Sequence, residues 1–221
     1  IIPGYGVAKD IILDDNYNFY LKMVFNNIYD LEKKLKTEES PILITSGGKT
    51  DMYAPYKRSE AQEIIRYYKN FFCRRDIKQI TSGWKMYSEK KALSTLENLI
   101  FSQEVLKDKK IKVKHIFIFC EQTRLKRVKK LSKLVIKKHS NVTVIPIDFD
   151  TSPNRYLDQK DIVAREKKEI DLAKWALTND SNFKKYHNAY KEKIVFLRKQ
   201  GAGNHSEALQ YWWKSKLGTL I

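Results

Sequence analysis

Short apolar runs alternate with longer stretches of helical period along this chain, which predicts strands interleaved with helices. Ile1-Ile2 reads as the tail of a first strand that turns through Pro3-Gly4-Tyr5-Gly6. Asn16 to Lys36 reads as a helix, with Phe19, Met23, Asn26, Ile28, Leu31 and Leu35 near helical spacing. Ile42 to Thr45 is a second strand and Ser59 to Phe72 a helix, with Ala61, Ile64, Ile65, Tyr68 and Phe72 on one face and Ser59 paired to Gln62 in a capping box. Lys78 to Thr81 reads as a short third strand ending in Ser82-Gly83. Ser94 to Leu106 is a helix with a second capping pattern, Ser94 to Glu97. His115 to Cys120 is the clearest buried strand, Glu121 to Lys138 a basic helix and Asn141 to Ile147 a fifth strand. Asp161 to Leu177 is helical, and beyond Asn179-Asp180 a stripe of Tyr186, Tyr190, Ile194 and Leu197 predicts more helix, with Trp212-Trp213 near the end.

Strands that are short and mostly apolar suit a parallel sheet covered on both faces. The expected fold class is therefore α/β: a Rossmann-like three-layer sandwich with a mostly parallel five-stranded sheet and a helical C-terminal extension. The natural division falls near residue 178, giving a domain over 1–178 and an extension over 179–221 docked upon it.

Composition narrows the partners. The 221 residues carry 43 Lys+Arg against 26 Asp+Glu, a formal net charge of +17, which favours anionic ligands: nucleic acid, phosphate-bearing small molecules or an acidic membrane surface. Lysines spread over solvated helix faces account for the same charge without any ligand. A hydrophobic fraction of 42% suffices for a core. Cys73 and Cys120 form neither a metal spacing nor a disulfide framework, which fits a reducing compartment. No run is apolar for long enough to span a bilayer. The sequence reads as cytoplasmic as seen, or as anchored or envelope-associated if residues precede Ile1.

Sites in open α/β sheets lie beyond the C-terminal ends of the strands. The residues following the strands are Gly4 and Gly6; Ser46, Gly47, Gly48, Lys49 and, further on, Arg58, Ser59 and Glu60; Ser82-Gly83, then Thr95, Glu97 and Asn98; Glu121, Arg124 and Arg127; and Asp148 and Asp150. Glycines there let a ligand approach the backbone, and the following helix N-terminus is expected to offer N–H groups to an anion. Glu60 and Glu97 are the candidate general bases or hydrogen-bond acceptors; each also sits in a first helical turn, where an acid is favoured by the dipole. Arg124 and Arg127 share a helix face near its start, an arrangement suited to clamping an anion. The four histidines have no metal-ligand spacing. Walker and nucleophile-elbow patterns are absent.

The order of these motifs resembles the YdcF/SanA/ElyC-like family. The resemblance rests on Gly4-Tyr5-Gly6, Ile44-Thr45-Ser46-Gly47-Gly48, Ser59-Glu60-Ala61, Thr95-Leu96-Glu97-Asn98 and Arg127, and covers roughly residues 1 to 150. It implies a Rossmann-like fold with the motifs meeting in one cleft, an association with envelope functions, and S-adenosylmethionine as a suggested cofactor. Many relatives carry a histidine three residues before the arginine; here that position is Arg124, which cannot shuttle protons near neutral pH and favours anion binding instead. The resulting expectation is a cleft for an anionic or nucleotide-type small molecule, with transferase or hydrolase chemistry. The alternatives are a basic nucleic-acid-binding module and a non-catalytic interaction protein.

Overall fold

A computed structural model describes residues 1–4, 15–35, 39–136, 141–148, 159–201 and 205–215, with Gly6 and Asp150 outside this set. The strands are β1 (Ile2–Pro3), β2 (Ile42–Ser46), β3 (Lys85–Glu89), β4 (His115–Glu121) and β5 (Asn141–Ile147). The helices are α1 (Asp15–Leu35), α2 (Glu60–Phe72), α3 (Arg75–Thr81), α4 (Thr95–Asp108), α5 (Leu125–Val135), α6 (Gln159–Ala176), α7 (Asp180–Gln200) and α8 (His205–Ser215), with a 3-10 turn at Gln122–Arg124 before α5. The fold is α/β, with two small parallel sheets: β1-β2-β3 and β4-β5. The Ile1 nitrogen donates to the Phe117 carbonyl at 2.6 Å, and the Phe119 N–H donates to the Ile1 carbonyl at 3.1 Å, so the chain entering β1 lies beside β4.

Alternation along β4 divides the core in two. Phe117 and Phe119 join a cluster built from Tyr17, Leu21 and Phe25 of α1, Ile64 and Tyr68 of α2, Ile77 of α3 and Trp84. Ile116, Ile118 and Cys120 face a second cluster: Leu96 and Leu99 of α4, Val128 and Leu131 of α5, Leu172 of α6, Tyr186 and Tyr190 of α7, and Trp212 of α8. A third cluster sets Ile194, Leu197, Ala208 and Leu209 on Met52, so α7 and α8 cover the loop that follows β2. The stripe Tyr186, Tyr190, Ile194 and Leu197 is buried as expected. Among the described residues no helix is long and apolar enough to cross a membrane.

Three readings need correction. The expected third strand, Lys78 to Thr81, lies in α3, where Ile77 and Thr81 are buried one turn apart. The strand comes later, at Lys85–Glu89, and reads as polar because it is the edge of its sheet and most of it is only partly covered. On α1 the buried stripe is Tyr17, Tyr20, Leu21, Val24, Phe25 and Ile28, while Phe19 and Leu35 are each 49% exposed; tyrosines carry this face. The basic helix after β4 begins as a 3-10 turn and ends at Val135. Pro146 lies within β5, tolerated because that strand is an edge.

Candidate functional site

The glycines stitch the strand ends together. Gly4 N–H donates to the Ser46 carbonyl at 2.7 Å, Gly47 N–H to the Glu89 carbonyl at 3.1 Å and Gly48 N–H to the Ala92 carbonyl at 2.6 Å. The Glu60 carboxylate fills the space left by two of them: a Cβ on Gly4 would stand 2.0 Å from its Oε2, and one on Gly47 would stand 2.7 Å from it. The start of α2 is closed from within. Glu60 N–H donates to the Gly48 carbonyl and Ala61 N–H to the Gly47 carbonyl, both at 3.0 Å, and Glu63 N–H to the Ser59 carbonyl at 3.1 Å. Gln62 N–H reaches the Ser59 hydroxyl at 3.4 Å, while that hydroxyl donates to Gln62 Oε1 at 2.9 Å. The expectation that this helix start would offer N–H groups to an anion is corrected: those donors, like the N–H groups of Gly47 and Gly48, are spent on the chain itself.

Side chains give the site its chemistry. The buried Ser46 hydroxyl donates to Glu89 Oε2 at 2.6 Å, and Asn98 Oδ1 lies 2.9 Å from the Ser46 Oγ. The other Glu89 oxygen accepts from the Ala92 N–H at 3.1 Å. Burial raises the Glu89 pKa above the usual carboxylate value, outweighing the Ser46 hydroxyl and the Lys91 and Ala92 N–H groups that favour its charge; the nearby Glu97 carboxylate adds to the rise. Glu97 is fully buried. Its Oε2 accepts from the Leu93 N–H at 2.6 Å, and its Oε1 lies 2.6 Å from His187 Nδ1. Ser94 caps α4 through the Glu97 N–H at 3.2 Å, and Thr95, half-buried, opens the helix. A carboxylate on Nδ1 fixes the imidazole and directs Nε2 away from Glu97.

The two arginines part company. Arg127 is buried, with Nε 3.0 Å from Glu166 Oε2 and Nη1 3.3 Å from Glu169 Oε1 on α6. Burial alone would lower its pKa, but the two carboxylates together hold it above the usual arginine value. Tyr190 donates its hydroxyl to Glu169. Arg124 instead stands at the strand ends, with Nη1 3.4 Å from the Gly4 carbonyl and Nε 3.9 Å from Glu121 Oε2. The N–H of Thr123 already meets a carboxylate oxygen of Glu121 at 3.2 Å.

Helix α7 ties this region together. Besides His187 and Tyr190 it contributes Arg198, which donates to the Asp51 carbonyl and to the Lys49 carbonyl, each at 2.9 Å. Asp51 is held by Arg58 through Nε and Nη2, each at 2.8 Å. Burial raises the Asp51 pKa, but Arg58 and the Tyr53 N–H outweigh it and leave the carboxyl below its usual value. Lys49 itself is exposed.

Of the expected residues, Gly4, Ser46, Gly47, Gly48, Glu60, Glu97, Asn98 and Arg124 thus meet around the ends of β1, β2 and β3. Ser59 acts as a helix cap, Lys49 contributes its carbonyl and Arg127 a buried ion pair. Sequence reasoning missed Glu89, because the third strand was placed too early, and His187, which lies 90 positions from Glu97 with no local motif. A surface groove of about 870 Å³ runs along the β3 edge between α2 and α4, lined by Ile65, Met86, Tyr87 and Lys109 among others, and of the residues above it takes in Gln62 alone. Among the described residues no group of three or more His, Cys, Asp or Glu is arranged to hold a metal ion. Comparison with protein-family models, with curated proteins and with solved structures finds no match.

Proposed function

We propose that the protein binds an anionic, nucleotide-type small molecule at the ends of β1, β2 and β3, and that the site serves transferase or hydrolase chemistry. The observation that carries this reading is the meeting of Glu89 and Glu97, two buried carboxylates that make no ion pair with Lys or Arg among the described residues, with Ser46, Asn98 and His187. Buried acids are costly to keep and concentrate at functional sites. In this reading Glu60 accepts hydrogen bonds from ligand hydroxyl or amino groups, and Glu97, fully buried, acts through the imidazole it holds. His187, its Nδ1 held by Glu97, is the group that moves a proton in this reading, the chain carrying Arg124 where many members of the family it resembles have a histidine. S-adenosylmethionine and phosphorylated envelope precursors are the first ligands to test.

The reading includes a finer view of the fold. The two sheets are taken as parts of one mostly parallel layer in the order β3-β2-β1-β4-β5, supported by the hydrogen bonds of Ile1 to Phe117 and Phe119. That order is Rossmann-like and puts its switch point between β1 and β4, where Arg124 meets Gly4.

A thermal-shift panel of S-adenosylmethionine, nucleotides, sugar nucleotides and a polyprenyl phosphate analogue tests it. A ligand at about 100 times its Kd adds about 2.7 kcal/mol. The expected result is stabilisation by at least one member that Ser46→Ala and Glu97→Gln abolish. Stabilisation by none, or by duplex and single-stranded nucleic acid alone with loss at high salt, overturns the reading.

A further inference from the structure

Charge is out of balance where α5, α6, α7 and α8 meet. Arg127 lies within ion-pairing distance of both Glu166 and Glu169, while its Nε and both Glu166 oxygens are buried without a hydrogen bond. Arg165 on α6 and Lys193 on α7 share that region, and among the described residues neither comes within ion-pairing distance of a carboxylate. Lys193 is 8% exposed, its ammonium 4.8 Å from the ring of Tyr190, 5.5 Å from Trp213 and 5.8 Å from Trp212. The Arg165 guanidinium lies 5.2 Å from the Trp213 ring. Arg165 Nε and Trp213 Nε1 are both buried without a hydrogen-bond partner. Aromatic faces relieve part of the cost of a buried cation, but they accept none of these N–H donors as a carboxylate or phosphate would.

We propose that Arg165 and Lys193, with Arg124 at the rim, form an oxyanion subsite that receives the phosphoryl group of the molecule held at the strand ends. The proposal deepens the reading above and rests on it. Arg124, against the Gly4 carbonyl, joins the two regions. An arginine fork suits a phosphoryl group, and an indole N–H adds a third donor type. The start of α2 cannot take the anion, since its donors are spent internally, and in the turn before α5 the Thr123 N–H is held by Glu121. The protonation behaviour agrees. Burial pushes Lys193 down to about 8, with Glu169 opposing and Arg165, Arg127 and Arg124 adding to the fall. Burial pushes Arg165 down to about 10, with Arg127 and Arg124 adding to the fall and Glu169 and Glu166 opposing. An arriving anion removes that repulsion.

Inorganic pyrophosphate is the probe, and the emission of Trp212 and Trp213 beside Lys193 is the signal. The wild-type chain is expected to bind it, and Lys193→Met and Arg165→Gln each to weaken binding by about tenfold or more, while Lys193→Arg retains it. Without anion, Lys193→Met is expected to melt no lower than the wild type, because removing an unpaired buried charge costs nothing. Wild-type affinity should decline as pH rises through about 8, as Lys193 loses its proton against Glu169, Tyr190, Arg165, Arg127 and Arg124. Absence of pyrophosphate binding, or equal affinity in all variants, overturns the proposal. If nucleotides bind through Ser46 and Glu97 while pyrophosphate ignores Lys193, the subsite fails and the broader reading stands. If pyrophosphate binding depends on Lys193 but no nucleotide-type ligand binds, the subsite stands and the broader reading fails.

Discussion

Replacing Arg127 with Met leaves Glu166 and Glu169 facing an apolar side chain. Arg127, Glu166 and Glu169 are 4%, 6% and 5% exposed, so water cannot take over from the guanidinium. Breaking a buried pair from one side costs about 3–5 kcal/mol, and here one cation serves two carboxylates at 3.0 and 3.3 Å. In a chain of this size that is a fall in Tm of roughly 6–20 °C. The pH dependence identifies the cause. Burial already holds the Glu166 carboxyl above its usual value, even with Arg127 beside it. A carboxyl whose folded pKa is raised contributes stability below its unfolded pKa and loses it as pH rises through the folded value. Without the guanidinium the folded value rises further. The Arg127→Met deficit is therefore expected to be small near about pH 4 and full near about pH 8. Urea denaturation across that range, with constant m-value, measures it. The triple variant Arg127→Met, Glu166→Gln, Glu169→Gln should recover most of the loss, since Gln still accepts from the Tyr190 hydroxyl. A deficit under about 1 kcal/mol, or one independent of pH, refutes the assignment of Arg127 to a structural ion pair and returns it to the ligand.

Other sites give sharper or simpler readouts. Gly48→Ala places a Cβ 2.7 Å from the Ala92 backbone carbonyl, and overpacking against backbone is expected to cost about 1–3 kcal/mol by the same denaturation assay. His187→Ala removes the partner of Glu97 Oε1 inside the core and should cost about 1–3 kcal/mol. Arg198→Ala cuts two hydrogen bonds to the loop after β2, so amide exchange at residues 49–53 should accelerate while exchange in β4 stays unchanged. Cys120 is buried and its thiol is pushed up to about 12, chiefly by burial, whereas Cys73 is exposed. A thiol reagent near about pH 8 should therefore modify one cysteine quickly and the second only on unfolding.

What the sequence disclosed follows the range of the forces involved. The apolar run Ile116-Phe117-Ile118-Phe119 and the caps Ser59 and Ser94 are local signals, and each marks its element within a residue or two. Strand β3 escaped because an edge strand needs few apolar residues, while Ile80-Thr81 just before it mimics one. The glycine corner was legible as a turn, but not the use of its N–H groups, since their acceptors belong to β3 and the segment after it. His187, Arg165 and Lys193 acquire meaning only through helix packing, which sets α7 against α4 and α6. Arg127 read as an anion clamp because its partners, Glu166 and Glu169, lie about forty positions downstream on α6.

Hydrogen–deuterium exchange with and without the most stabilising panel ligand tests the central claim most directly, because it reports where the ligand sits. New protection should fall on residues 46–51, 89–98 and 186–194, and should vanish in Ser46→Ala. Protection confined to the exposed basic side of α5, around Lys126, Lys129, Lys130 and Lys133, would contradict the account and place the protein's anion chemistry on a solvated helix face.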